Sequence, residues 1–206
     1  MPYSQFSLEQ IKLNFGIEIR EKFGIFAQTS SVYYSPLLTQ VLENYVPLAL
    51  EIDTEKSRSE YIVAPILFEF KSQLKNKISL FSGKEFTVDA EKGLSGFCDF
   101  LISYSPQQLM IEVPIILIVE AQNDNILSGL GQCMAQMLAA QLFNQRHQQN
   151  IKTIYGCVTT GTNWKFLQLT DQRIEIDLNE YFLSNIGQVL GILHYFVEQA
   201  DLNELR

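Results

Sequence analysis

The sequence predicts an α/β domain whose mixed β-sheet lies between helices. Three observations predict it. Residues 113–121 are almost continuously apolar and β-branched, as a central strand covered on both faces requires. Apolar residues recur at helical spacing up to about residue 75, then switch to short strand-like runs. Those runs alternate with further helical segments, giving the order helix, helix, strands, helix, strands, helix.

Each element has a local justification. Ser7-Leu-Glu-Gln10 has the form of a capping box and opens a first helix. Gly16 and Gly24 interrupt the chain after that helix, and the stretch around them carries no firm period. Ser35 followed by Pro36 is a cap with proline at the first helical position, and opens a helix through about residue 50. The spacing of Ile62, Val63, Ile66, Leu67 and Phe70 predicts a helix over 57–75, with Pro65 bending or dividing it.

Residues 78–81 and 86–88 read as two short strands separated by Gly83. Residues 96–104 read as a strand ended by Ser105-Pro106. After the central run and Asn123-Asp-Asn125, a long helix is predicted over 126–145. Residues 153–159, 164–168 and 173–176 read as three strands, and 181–204 as a closing helix. The chain is expected to form a single domain, with a helical region over 1–55, a core over 56–170 and a closing strand and helix over 171–206.

Composition narrows the function classes. With 206 residues the chain can bury a core without staples, and 47% hydrophobic against 18% charged residues excludes a disordered chain. The longest apolar run is far short of the roughly 20 residues that span a bilayer, and no basic, apolar leader opens the sequence. Cys98, Cys133 and Cys157 are too few and scattered for a disulfide framework. The expectation is a cytoplasmic protein with reduced, buried thiols and no membrane partner.

The net charge of -8 argues against broad, charge-driven binding of nucleic acid. Seven acids and two bases lie from Asp171 onward. Lys56, Arg58, Lys71, Lys75, Lys77 and Lys84 form a locally basic stretch, which reads as a solvated helix face or as a phosphate-facing edge.

The chemistry concentrates at the end of the central strand, Ile115-Ile-Leu-Ile-Val-Glu120-Ala-Gln122. Side chains alternate along a strand, so Glu120 and Gln122 share one face where an apolar strand turns polar. Asp99 is a lone acid in the preceding strand, Gly96-Phe-Cys-Asp99. If the two strands pair, Asp99 and Glu120 meet at one edge and make a hard oxygen site for Mg²⁺ or Mn²⁺. Glu60 opens the second helix, and Gln132 and Gln136 form an i, i+4 pair on the long helix. Taken singly, each acid has an ordinary surface role; taken together, their order and spacing point to a site.

Glu60 on a helix, then Gly96-Phe-Cys-Asp99, then Val119-Glu120-Ala-Gln122, then a helix with Gln132, resembles the PD-(D/E)XK nuclease superfamily, in particular its uncharacterised cyanobacterial-type members. The resemblance covers about residues 57–170. It implies a restriction-endonuclease-like fold and a Mg²⁺-dependent (or Mn²⁺-dependent) nuclease acting on nucleic acid, DNA first. It implies Asp99 and Glu120 as metal ligands, Glu60 as an assisting acid, and Gln132, with Gln136 beside it, as substrate contacts. Gln122 stands where the family usually has lysine. A neutral amide supplies neither an ammonium charge nor a base. The superfamily includes members with Gln there, and a lysine from another element, Lys165 or Lys71, is the alternative source of the charge. The alternative is a catalytically inactive module of the same fold that binds protein or nucleic acid. The amphipathic C-terminal helix covers the sheet or meets a second copy of the chain in a homodimer.

Overall fold

The computed structural model describes residues 2–149 and 151–204. The N-terminal turn Tyr3–Gln5 leads into α1 (Leu8–Phe15), β1 (Glu18–Lys22), α2 (Pro36–Ile52) and the short α3 (Glu55–Arg58). A π-helical turn (Ser59–Val63) joins α3 to α4 (Ala64–Gln73). Then come β2 (Ser79–Glu85), β3 (Phe97–Ser103), β4 (Ile115–Ala121) and α5 (Ile126–Arg146). The chain closes with β5 (Thr153–Thr159), β6 (Asn163–Thr170), β7 (Arg173–Asp177), β8 (Tyr181–Phe182) and α6 (Ile186–Glu204).

The sheet is mixed and open, with strand order β1-β7-β6-β5-β4-β3-β2, and β8 pairs with β6. β4 runs antiparallel to β3 and parallel to β5, with α5 as the crossover. All seven residues of β4 are buried, Glu120 included, as its nearly continuous apolar run predicted for the strand. One face of the sheet packs on α1 and α5, the other on α2, α4 and α6. The expected α/β class and the helices at both faces are present.

The predicted caps form. Ser7 and Gln10 make the reciprocal capping box of α1, and the Ser35 hydroxyl accepts from Leu38 N at the head of α2. By length and hydropathy alone α5 could cross a membrane; it is 67% buried, and the sheet explains its apolarity. It is fastened at its far end by the buried Asn144, whose amide bonds both the N–H and the carbonyl of Ile115, each at 2.8 Å. Gly131 allows closer contact still: a Cβ there would lie 2.0 Å from the Phe6 carbonyl oxygen.

One unassigned stretch is resolved and three expectations are corrected. Residues 18–22 form an edge strand that the sequence concealed, because its side chains are mostly exposed and charged. It pairs with β7 through Arg173–Glu18 and Lys22–Glu175 ion pairs. Residues 86–88 are not a strand; β2 instead runs through Gly83, which takes φ +58. Residues 181–182 pair with β6 rather than starting a helix, and the Tyr181 hydroxyl donates to the buried Asp177 at 2.8 Å. The helix expected over 57–75 starts earlier and contains the π turn, where Ala64 N–H reaches Ser59 O five residues back. Pro65 has no N–H, and its ring crowds the carbonyl four residues earlier; the widened turn accommodates it.

Candidate active site: two carboxyls at the end of the central strand

The β3–β4 ladder runs to Phe100↔Val119. One position further on, Asp99 and Glu120 converge. Asp99 Oδ2 accepts a hydrogen bond from the Ala121 N–H at 2.8 Å, so a side chain takes the donor just past the end of the ladder. Glu120 is 2% exposed. Its Oε1 accepts from Gln132 Nε2 at 2.6 Å, and its Oε2 from Gln136 Nε2 at 3.0 Å. Gln122 Nε2 lies 3.4 Å from Glu120 Oε1 and donates to Ala121 O at 2.9 Å. Gln122 Oε1 accepts from the Ser128 hydroxyl on the first turn of α5.

Burial sets the electrostatics. It pushes the Glu120 carboxyl well above the usual carboxylate range, and the charge of Asp99 pushes it further, against the pull of the Gln136 and Gln132 amides. Burial also raises Asp99, opposed by the Ala121 N–H and by a hydrogen bond from Glu120. Burial thus opposes ionisation of both carboxyls, and the charge of Asp99 opposes that of Glu120 further. Among the described residues no ion pair reaches either of them.

The expected residues divide into those brought together and those left apart. Asp99, Glu120, Gln122 and Gln132 assemble. Gln136 reaches the site but has no solvent-facing surface, which corrects its expected contact with substrate. Its amide donates to Glu120 and to Phe97 O, and its Oε1 is buried without a partner. Glu60 does not join the pair: it is exposed and bonded to Lys56 one turn earlier. The helix acid that senses the site is Glu55, raised by burial and then by the charge of Asp99. The Thr54–Ser57 capping box starts this helix at Glu55; Thr54 beside Asp53 is the sequence signal that would have found it.

Neither lysine considered for the missing charge approaches. Lys165 Nζ is buried on the carbonyls of Asp177, Leu178 and Asn179, and Lys71 is bonded to Gln108. The basic stretch does not form one edge. Lys56, Arg58 and Lys84 lie at the carboxyl end of β4, whereas Lys71, Lys75 and Lys77 lie toward the opposite end of the sheet, where β2 begins. His194 is a hydrogen-bonded histidine on α6, 2.7 Å from Gln73 Oε1.

A cleft of about 400 Å³ opens at the same end of the sheet, lined by Arg58, the loop after Gln122, the first turn of α5 and the β5–β6 turn. Open α/β sheets place ligand crevices at this edge. Arg58 holds it together. Its side chain is 12% exposed, and it donates to Asn123 Oδ1, Thr160 O and Asp53 Oδ1 at 3.1–3.2 Å. Sequence reading left Arg58 within the basic stretch, because its partners lie 65 and 102 residues away.

The donor set suits a hard divalent cation. Asp99 and Glu120 offer oxygen only, and two buried carboxyls that resist ionising side by side are what such an ion relieves. Among the described residues no three His, Cys, Asp or Glu side chains converge into a fuller ligand set. No protein-family model and no curated protein sequence matches the chain.

Proposed function

We propose that this chain is a metal-dependent phosphodiesterase of the PD-(D/E)XK, restriction-endonuclease-like type, acting on nucleic acid. The observation that carries this reading is the convergence of Asp99 and Glu120, from two paired strands, at the buried carboxyl end of β4. Their order along the chain, with Gln122 and the Gln132 helix following, supports the superfamily. Asp99 and Glu120 would hold Mg²⁺ or Mn²⁺, which supplies an activated water and neutralises charge on the phosphate. Gln132 and Gln136 fix the Glu120 carboxyl by donating to its two oxygens. Gln122 replaces the usual ammonium with a neutral donor next to Glu120 and Ala121 O, orienting rather than charging the reacting group.

Cleavage of labelled duplex DNA, single-stranded DNA and RNA with Mg²⁺ or Mn²⁺ tests the proposal. Metal-dependent cutting lost in both Asp99→Asn and Glu120→Gln is the expected result. Cutting that survives Asp99→Asn overturns it.

One observation favours a second reading, an inactive module that binds protein or nucleic acid. Both Glu120 oxygens are already held by glutamine amides, so the buried carboxyl is hydrogen-bonded without any cation. Calorimetric titration with Mn²⁺ separates the two: heat that depends on Asp99 supports the enzyme, and none supports the module.

A further inference from the structure

The cleft beside Arg58 has a chemistry of its own. A guanidinium carries five N–H donors, and Arg58 uses three on Asn123, Thr160 and Asp53. Two remain, on a side chain fixed by three separate parts of the chain. The cleft also carries Asp124 and Glu180, the latter bonded to Asn163 Nδ2 at 3.0 Å. One cation against two acids, in a chain of net charge -8, offers little to the dense phosphates of a duplex. It offers a place for one phosphate among neutral hydrogen-bonding groups.

The rim is apolar. Phe182 is 49% exposed and stands directly opposite Asn163 in the β8–β6 pair. Its neighbour Tyr181 enters the core on the α6 side, so Phe182 turns to the other face with Asn163, which lines the cleft. Leu127 on the first turn of α5 lines the same cleft and is exposed. An exposed ring beside neutral amides and hydroxyls suits a base that has left its stack, because stacking and edge hydrogen bonds need no net charge. A volume of about 400 Å³ is in the range of small-ligand sites.

We propose that this cleft takes one unstacked nucleotide of a single-stranded nucleic acid, its phosphate on Arg58 and its base against Phe182 and Leu127. The inference rests on the nuclease reading and gives it a substrate class: single strands, flaps and frayed ends rather than closed duplex.

The test is fluorescence anisotropy in excess chelator, where nothing is cut. The probes are a fluorescein-labelled short oligodeoxyuridylate, the matching oligouridylate and a blunt DNA hairpin. Both sugars present the same phosphate and base chemistry; at least about tenfold tighter binding of either strand than of the hairpin is expected, and their difference identifies the sugar. Phe182→Ala should weaken single-strand binding at least about fivefold, the lower end of one lost base stack. Arg58→Gln should weaken it too, with its thermal midpoint measured beside it because Arg58 ties three segments together. Phe182 is exposed, so its variant tests the cleft even if the arginine variant misfolds.

Equal binding of hairpin and single strand, no binding of any probe, or an unchanged Phe182→Ala overturns the inference. Single-strand binding that depends on Phe182, with no cleavage in any metal, rejects the nuclease reading and keeps the cleft. Metal-dependent cleavage with Phe182→Ala indistinguishable from wild type rejects the cleft and keeps the nuclease.

Discussion

Asp99 takes the backbone N–H of Ala121, the residue next to Glu120, with its own carboxyl oxygen at 2.8 Å. A strand-end hydrogen bond thus places one acid against the other. Asp99→Asn keeps an acceptor for that N–H and removes the charge. Because burial holds the Asp99 carboxyl above its unfolded value, the folded state favours the protonated form, and stability is lost as pH rises through the folded pKa. The asparagine variant lacks that loss. Its thermal midpoint without metal should exceed that of wild type, by more at pH 8 than at pH 5, while Mn²⁺ binding disappears. Asp99→Ala also strands the Ala121 N–H and should fall below Asp99→Asn by about 1–3 kcal/mol. Melting curves at the two pH values check both.

On the nuclease proposal, Gln122→Lys is expected to raise the cleavage rate. The amide it replaces already points a donor at Ala121 O and lies beside Glu120, so an ammonium there meets the same acceptors and adds a full charge. A gain of at least about tenfold, or about 1.4 kcal/mol in the barrier, is the expected size at fixed Mn²⁺. Initial rates on one substrate measure it; an unchanged rate would show that position 122 does not carry the role of the lysine.

Gln136→Leu should separate stability from function. The substitution removes a donor to Glu120, but also a carbonyl oxygen buried without a partner. Removing that oxygen relieves one unpartnered atom, but Glu120 Oε2 and Phe97 O lose their donor, at about 1–3 kcal/mol for each stranded group, so the thermal midpoint should hold or fall slightly. Mn²⁺ affinity should fall, because the Glu120 carboxylate loses a hydrogen bond that favours its charged form. A lower midpoint with unchanged metal affinity would contradict the assignment of Gln136 as a positioning residue.

Gly131→Ala should destabilise the fold through overpacking. Its Cβ would meet the Phe6 carbonyl oxygen at 2.0 Å, and backbone cannot rotate away as a side chain can. The expected cost is about 1–3 kcal/mol, which lowers the midpoint by about 2–4 °C per kcal/mol at this chain length. Gly16→Ala, with nothing near its Cβ but φ +66, separates backbone strain from crowding.

Burial decides how much was legible in the sequence. β4 announced itself because both its faces are covered, and Asp99 and Glu120 stood out because they are acids in buried strands. β1 did not, because an edge strand of exposed charges has no apolar period to read. Glu60 lies apart from the two carboxyls because of helix phase. The helix begins at Glu55, and its π turn changes the angular step where Glu60 lies, leaving that side chain exposed on Lys56. The i, i+4 pairing of Gln132 and Gln136 was visible, but its target was not, because Glu120 lies on another element. Arg58 needed the tertiary fold altogether.

The double hydrogen bond of Asn144 to Ile115 has a mechanical consequence. It latches the far end of α5 to the start of β4, while Gln132 and Gln136 latch the near end through Glu120. Strand and helix are thereby riveted at both ends into one stiff plate, and the acid on it cannot drift without breaking a rivet. The opposite wall hangs on Arg58 and the wider π turn behind it.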